Sequence, residues 1–549
     1  MSAFFAGIVF WGVLAGMVWL ARPSSRIWSA TVEKWNIISS ATTLLVLVML
    51  IGSSCFLMSL CPMWNGETTR QLMEQLEAEK NGVTGLRDGY SDKPNDPDRY
   101  AIKNKNQYEL MADALLEGRL YFDYDVDPLL LKMDNPYDRD ARRELGVRYH
   151  WDHAFYKGKY YMYFGIVPVF LLFIPYRLIT GLSLTTYHAT QIFTGAAMVG
   201  LFAFFRFLSR KFFPKLSFVV YLMLGTAVCL SATIHCIAKP AMYMTAFAAG
   251  ICMEVWSVYF FVKAVWGTKD ENRAILLAFV GALLGALAFG CRPSIALGNL
   301  MVIPCLAVFL QEHKFSAKLF LKLAAAASPY IIIGVLLMAY NYVRFESAFE
   351  FGQSYQLTVA DQSSYGSFLS RFNVLKLGYG VSYFLVISGE FVRKFPHIVE
   401  TGVLVSYPVY NTGIYAVTRK KVQAGLKSSK LHLFMWGGVV TIAVIILADV
   451  IWSPYLLSRY KEDMIWLLGM MLFAAAGMMY AESKQGSAAG IGTESNDTNR
   501  KFSSVVTLLS IFAILFCAAL FVELDREYFT PTQLAFIKKI ISGITFGLY

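Results

Sequence analysis

Apolar residues along this 549-residue chain come in long runs, rather than in the two-residue or 3.6-residue stripes of elements that face water on one side. A helix that crosses a bilayer needs roughly 20 mainly apolar residues. Twelve stretches have that character, near 3–21, 37–61, 184–205, 216–234, 240–263, 274–291, 295–311, 319–340, 396–417, 431–451, 464–481 and 502–522. One further apolar stretch, 162–180, is interrupted by Pro168 and Pro175, each of which removes a backbone donor and kinks a helix. That pattern predicts a juxtamembrane or re-entrant helix; the alternative is an ordinary kinked span. The expected fold is therefore an all-α integral membrane protein of about twelve transmembrane helices with a large first loop.

Composition agrees: 56% of residues are hydrophobic, only 16% are charged and the mean hydropathy is +0.48. Soluble globular chains carry about 25% charged residues, so a cytosolic enzyme, a secreted disulfide scaffold and a disordered chain are all excluded. The formal charge of +11 sits largely in short loops, where the positive-inside rule accounts for it and no nucleic-acid partner is needed. Arg22, Arg26 and Lys34; Arg206, Arg210, Lys211 and Lys215; Lys314 and Lys318; and Arg419, Lys420, Lys421, Lys427 and Lys430 mark four cytoplasmic loops. Alternation then places both termini and the long loops outside a plasma membrane. The N-terminus has no basic residues before its apolar run, so it reads as a first span rather than a cleaved signal. The eight cysteines lie mostly inside apolar stretches, with no C-x-x-C pair, and read as small core residues.

These boundaries divide the chain into two N-terminal helices (1–61), a large loop with acidic and aromatic motifs (62–161) and the broken helix (162–180). A transmembrane bundle (181–340), a second loop (341–395), C-terminal helices (396–522) and an amphipathic tail (523–549) follow. The segment 62–160 holds 19 acidic residues, half of the 38 in the whole chain, which makes it the first place to look for chemistry. Its first part, 66–100, reads as a solvated spacer, and 482–501, with its Gly-Ser-Ala-Ala-Gly-Ile-Gly run, as a linker.

Three candidate carboxylates stand in the ordered half. Asp113 shares a helix face with Glu109 at i and i+4, and Asp123 alternates with Asp125 and Asp127 on an extended stretch. Asp152 precedes a Lys157-Gly158-Lys159 turn between aromatic segments. Carboxylates gathered beside a membrane suit a general base or a divalent cation, and His150 and His153 flanking Asp152 keep a metal in view, although no third ligand is evident. Trp151, Tyr156, Tyr160 and Tyr163 form an aromatic run fit to line a substrate, or to anchor an interface. Arg292, Arg344 and Arg459 all fall on the expected outer face, against the positive-inside bias, and a lipid phosphate bound bidentately by guanidinium is one reason for such placement. The alternatives are snorkelling or a pair with a loop carboxylate. Glu254 lies within the span 240–263, as a hydrogen-bonding strut or a proton-coupling site.

In order, the chain carries Ala-Asp-Ala-Leu-Leu-Glu-Gly-Arg-Leu-Tyr at 112–121, Asn-Pro-Tyr-Asp at 135–138 and the aromatic stretch 151–168. Cys-Arg-Pro at 291–293, the loop 341–357 ending Phe-Gly-Gln-Ser-Tyr-Gln-Leu, and Arg-Tyr-Lys-Glu-Asp at 459–463 complete the set. This order resembles a bacterial branch of the GT-C superfamily of polytopic glycosyltransferases, relatives of protein O-mannosyltransferases and aminoarabinose transferases. The resemblance implies a catalytic acid on the first large outer loop, juxtamembrane helices, a polyprenyl-phosphate-sugar donor and a basic residue on the lipid phosphate. Better-known members place an acidic pair about four residues before a tyrosine; read onto Tyr108, those positions are Asn104 and Lys105. Asp113, Asp123 or Asp152 would then take the role. The expected function is transfer of a sugar from that donor to an acceptor on the outer side. The alternatives are a transporter or flippase of lipid-linked sugars, which would use Glu254, and a glycan polymerase or ligase.

Overall fold

The computed structural model describes residues 2–60, 100–102, 106–366, 369–387, 398–453, 455–481, 492–524 and 531–545. Residues 61–99, with Cys61 and the spacer up to 99, residues 103–105, with Asn104 and Lys105, half of the linker and parts of the second loop and the tail lie outside them. Within them the chain is an all-α integral membrane protein. Its helices are α1 (Ser2–Leu20), α2 (Ile37–Ser59), α3 (Thr186–Phe212), α4 (Met242–Trp266), α5 (Glu271–Phe289) and α6 (Pro293–Glu312). They are followed by α7 (Ala317–Phe345), α8 (Leu431–Trp452), α9 (Glu462–Met478) and α10 (Gly492–Leu524).

Among the described residues eight helices are long and apolar enough to cross a membrane: α2 to α8 and, from Asp497, α10. Of the other four expected runs, 3–21 forms the 19-residue apolar helix α1, and three differ for local reasons. The run 216–234 forms the shorter helix Phe218–Ser231 and then a separate turn, Ile234–Ala238. Pro408 interrupts 396–417, which folds as the pieces Val403–Ser406, Pro408–Tyr410 and Asn411–Val417. The α9 helix has 17 residues and opens on Glu462 and Asp463; α1 packs on the helix Pro531–Ile544, where Trp11 Nε1 donates to the Ile544 carbonyl at 2.6 Å.

The bundle is built around α4 and α9, both buried along nearly their whole length, which is why they are apolar on every side. The α4 helix packs on α3 and α5, and α9 on α3, α4 and α8. Helices α2 and α7 instead turn most of their apolar side chains outward, as lipid-facing helices do.

The segment 162–180 forms one π-like turn, Val169–Phe173, running into the helix Ile174–Thr180 and ending on the left-handed Gly181. At that length Val169–Thr180 falls short of a crossing. Val169 and Phe173 are buried under the large loop, while Phe170, Leu178 and Ile179 are exposed. The loop domain it carries is small. The helix Gln107–Leu116 stacks Tyr108 on Phe173 at 5.5 Å, and Ala101–Ile102 pairs in parallel with Tyr149–His150. A hairpin pairs Ala154–Tyr156 with Lys159–Tyr161, turning on Lys157 and Gly158, both at positive φ as a two-residue type I′ turn requires.

Candidate functional site

The hairpin extends sideways into the second loop. Asp152 N–H donates to the Leu357 carbonyl at 3.0 Å, Leu357 N–H to His153 at 2.9 Å, and Phe155 N–H to Tyr355 at 2.9 Å. The Asn-Pro-Tyr-Asp turn braces the same junction: Asn135 Nδ2 donates to Asp361 at 2.8 Å and the Tyr137 hydroxyl to the Phe155 carbonyl at 3.0 Å. Asp152 sits in this junction with φ +56°, a conformation that aspartate tolerates better than most side chains but that is still uncommon and concentrates at functional sites.

The Asp152 side chain is buried. One carboxylate oxygen accepts from Gln356 Nε2 at 2.9 Å and the other from the hydroxyl of Tyr243, at the start of α4. Burial pushes its pKa up, opposed by the hydrogen bond from Tyr243 and by the nearby Arg459. The Arg459 guanidinium lies over the Tyr243 ring at 4.9 Å and the Tyr460 ring at 5.7 Å, and among the described residues no carboxylate lies within ion-pairing distance of it. Tyr163 lies within electrostatic reach of Asp152, Arg292, Arg459 and Tyr460.

Arg292 is engaged differently. Its Nε and Nη2 bind both oxygens of Asp463 at 2.6 and 2.7 Å, Ser294 Oγ adds a bond to Asp463 at 3.0 Å, and the guanidinium covers the Phe247 ring at 3.7 Å. Gly165 is what lets the aromatic stretch approach this turn: a Cβ there would lie 2.3 Å from the Gly290 carbonyl oxygen and 2.4 Å from that of Cys291. Beside it Val167 N–H donates to Gly290 at 2.8 Å. Four stretches distant in sequence, 151–168, 291–293, 341–357 and 459–463, thus converge at one end of the bundle.

The other candidates fall elsewhere. Arg344 is buried, with Nη1 donating to the Met162 carbonyl and Nη2 to Asn341 Oδ1, both at 2.8 Å, while its buried Nε has no hydrogen-bond partner among the described residues. Asp113 pairs with Arg177 at 3.4 Å, and the exposed Asp123 lies 3.8 Å from Arg119. Tyr160 is 1% exposed and packs inside the hairpin against Phe155 and His150, as a core residue. Tyr156 packs at a tilt against Tyr355, ring centroids 4.5 Å apart, and Trp151 is half-buried near Tyr149.

Among the described residues no three His, Cys, Asp or Glu side chains gather to hold a metal. His150 stacks on Tyr124 at 3.9 Å, and His153 is tied to Gln107 at 3.3 Å and to the Trp151 carbonyl at 2.9 Å. Glu254 is buried with Oε1 accepting from Asn299 at 2.6 Å. Sequence reasoning gave no role to Tyr243, Gln356 or Asp463; Gln356 and Asp463 stand inside the motifs at 341–357 and 459–463, whereas Tyr243 is an ordinary aromatic at a helix start.

No family model matches the chain, and no curated protein matches it. Among solved structures, the apo oligosaccharyltransferase of Archaeoglobus fulgidus aligns at 11% identity with a TM-score of 0.38. The alignment covers 87% of this chain and 56% of that one, so this chain spans little more than half the length of that enzyme.

Proposed function

We propose that this membrane protein is a glycosyltransferase that moves a sugar from a polyprenyl-phosphate carrier to an acceptor hydroxyl, at the outer side of the plasma membrane. The observation that carries the reading is the pairing, across one aromatic-walled site, of a buried carboxylate at Asp152 with an arginine at 459 that among the described residues has no carboxylate within ion-pairing distance. In transfer, the acceptor oxygen forms a bond to the anomeric carbon as the bond from that carbon to the phosphate oxygen breaks. The acceptor proton passes to Asp152, and the leaving electron pair stays on the lipid phosphate. Arg459 offsets that growing charge, in a site where burial strengthens the interaction. Arg292 takes a supporting part, since Asp463 already occupies two of its donors. The donor lipid and the acceptor are the partners.

The test is release of free polyprenyl phosphate from a panel of polyprenyl-phosphate sugars by the detergent-solubilised protein. Asp152→Asn should lower release by about two to four orders of magnitude, the usual worth of a general base, while the protein stays folded. Undiminished release by a folded Asp152→Asn protein removes Asp152 from the role.

A further inference from the structure

Gln356 is the last of three glutamines joined head to tail. Gln356 Nε2 donates to Asp152 Oδ1 at 2.9 Å, Gln362 Nε2 donates to Gln356 Oε1 at 2.7 Å, and Gln353 Nε2 donates to Gln362 Oε1 at 2.6 Å. The indole N–H of Trp452, the last residue of α8, donates to Gln353 Oε1. The ends of this chain fix its direction. An indole nitrogen only donates and an ionised carboxylate only accepts, so each amide between them has one orientation that satisfies both neighbours. Gln356 and Gln362 are buried, and an amide turned the wrong way there would set two oxygens or two N–H groups face to face. Hydrogen bonds aligned in series polarise one another, so the last donor in the row is a stronger one than an isolated amide.

We infer that Trp452, Gln353, Gln362 and Gln356 form a one-way hydrogen-bond chain that positions Asp152 as a proton acceptor for the acceptor hydroxyl. The inference rests on the proposed transferase reading for its purpose, and on the donor sequence alone for its existence. The chain holds one oxygen of Asp152 from the second loop while Tyr243 holds the other from α4, so the carboxylate plane is set by two elements at once. It also ties the base to the end of a spanning helix, where Trp452 is half-exposed. The charged and titratable groups facing Asp152 are Tyr243, Arg459 and Tyr163, whereas the His153 ring turns away to Gln107. The glutamines are positioning residues, and their effect is read in the proton affinity of Asp152.

The experiment titrates Asp152 by infrared spectroscopy on protein labelled with carboxyl-13C aspartate, its band assigned by difference from Asp152→Asn. Gln356→Leu removes the terminal donor and should raise the midpoint by about one pH unit, the worth of one hydrogen bond to a charged group. Gln362→Leu should raise it less. Trp452→Phe, at a half-exposed site that tolerates the change, should raise it least but in the same direction. Where polyprenyl phosphate is released, the acid limb of kcat/KM should move by the same amounts with KM unchanged. A midpoint that stays put in folded Gln356→Leu and Trp452→Phe proteins overturns the chain. Shifted midpoints in a protein that releases no polyprenyl phosphate from any donor would uphold the chain and sink the transferase reading.

Discussion

Glu109 fastens the loop domain to the bundle, and two substitutions there measure how. Its carboxyl is buried and accepts from both the backbone N–H and the hydroxyl of Thr186, in the first turn of α3. Burial pushes its pKa up to about 7, past the lowering pull of the Thr186 hydrogen bonds. In the unfolded chain the value is about 4.3. Because the folded value is the raised one, the stability this group contributes is fully present below about pH 4 and is lost as pH rises through about 7. A difference of about 2.7 units amounts to about 3.7 kcal/mol. Glu109→Gln keeps an acceptor for the N–H and offers a donor to the hydroxyl, without a charge to lose. In detergent, its unfolding temperature should match that of wild type near about pH 5 and exceed it near about pH 8. Glu109→Ala leaves the Thr186 N–H orphaned at a buried helix start and should cost about 2–3 kcal/mol near about pH 5, a gap that narrows near about pH 8 as the wild type loses its own contribution. Tryptophan-fluorescence melts of the three proteins at the two pH values decide the matter. Wild-type and Gln variant melts that respond identically to pH would refute the argument.

Three further outcomes follow from the geometry. Gly165→Ala would drive a methyl group into two backbone carbonyls; a loss of about 1–3 kcal/mol or more is expected, and an unchanged unfolding temperature would contradict the packing. The buried His150 and His153 rings are held neutral by burial, which lowers the pKa of both, that of His153 to about 4. The unfolded chain therefore takes up protons that the fold refuses between about pH 6.5 and about pH 4, and stability falls across that window by up to about 3 kcal/mol for His153. Replacing His153 by Gln should flatten the acid limb of the melting curve, and an equally steep limb in the variant would disprove this. Asp123→Asn, at an exposed position away from Tyr243 and Arg459, should leave polyprenyl-phosphate release within about twofold of wild type, and a loss of the size expected for Asp152→Asn would move the base to Asp123.

The spans were legible because little besides a bilayer crossing calls for an apolar run of that length, and the prolines at 168 and 175 mark where 162–180 breaks into a π-like turn and a short helix. Pro408 carried the same information for 396–417, but a run of apolar residues masked it. The Lys-Gly turn was readable because only a tight hairpin asks for two residues of positive φ. What sequence did not disclose is who faces whom. Arg292 and Asp463 are 171 residues apart and Asp152 and Gln356 are 204 apart, and no local pattern reports a contact between loops. For the same reason Arg292, Arg344 and Arg459 looked equivalent as three arginines at one face. Only their partners separate them: a carboxylate for the first, backbone and amide oxygens for the second, and two aromatic faces for the third.

The short helix Val169–Thr180, with Leu178 and Ile179 turned outward beneath the loop domain, sets a height. Spanning helices answer a thicker or thinner bilayer by tilting, but a helix lying at the surface rises and sinks with the headgroups themselves. On the proposed transferase reading the segment would work as a float, carrying Asp152 at a constant draught relative to the plane of the lipid phosphates, so that the carboxylate and a lipid-borne phosphate would stay level with each other in membranes of unequal thickness.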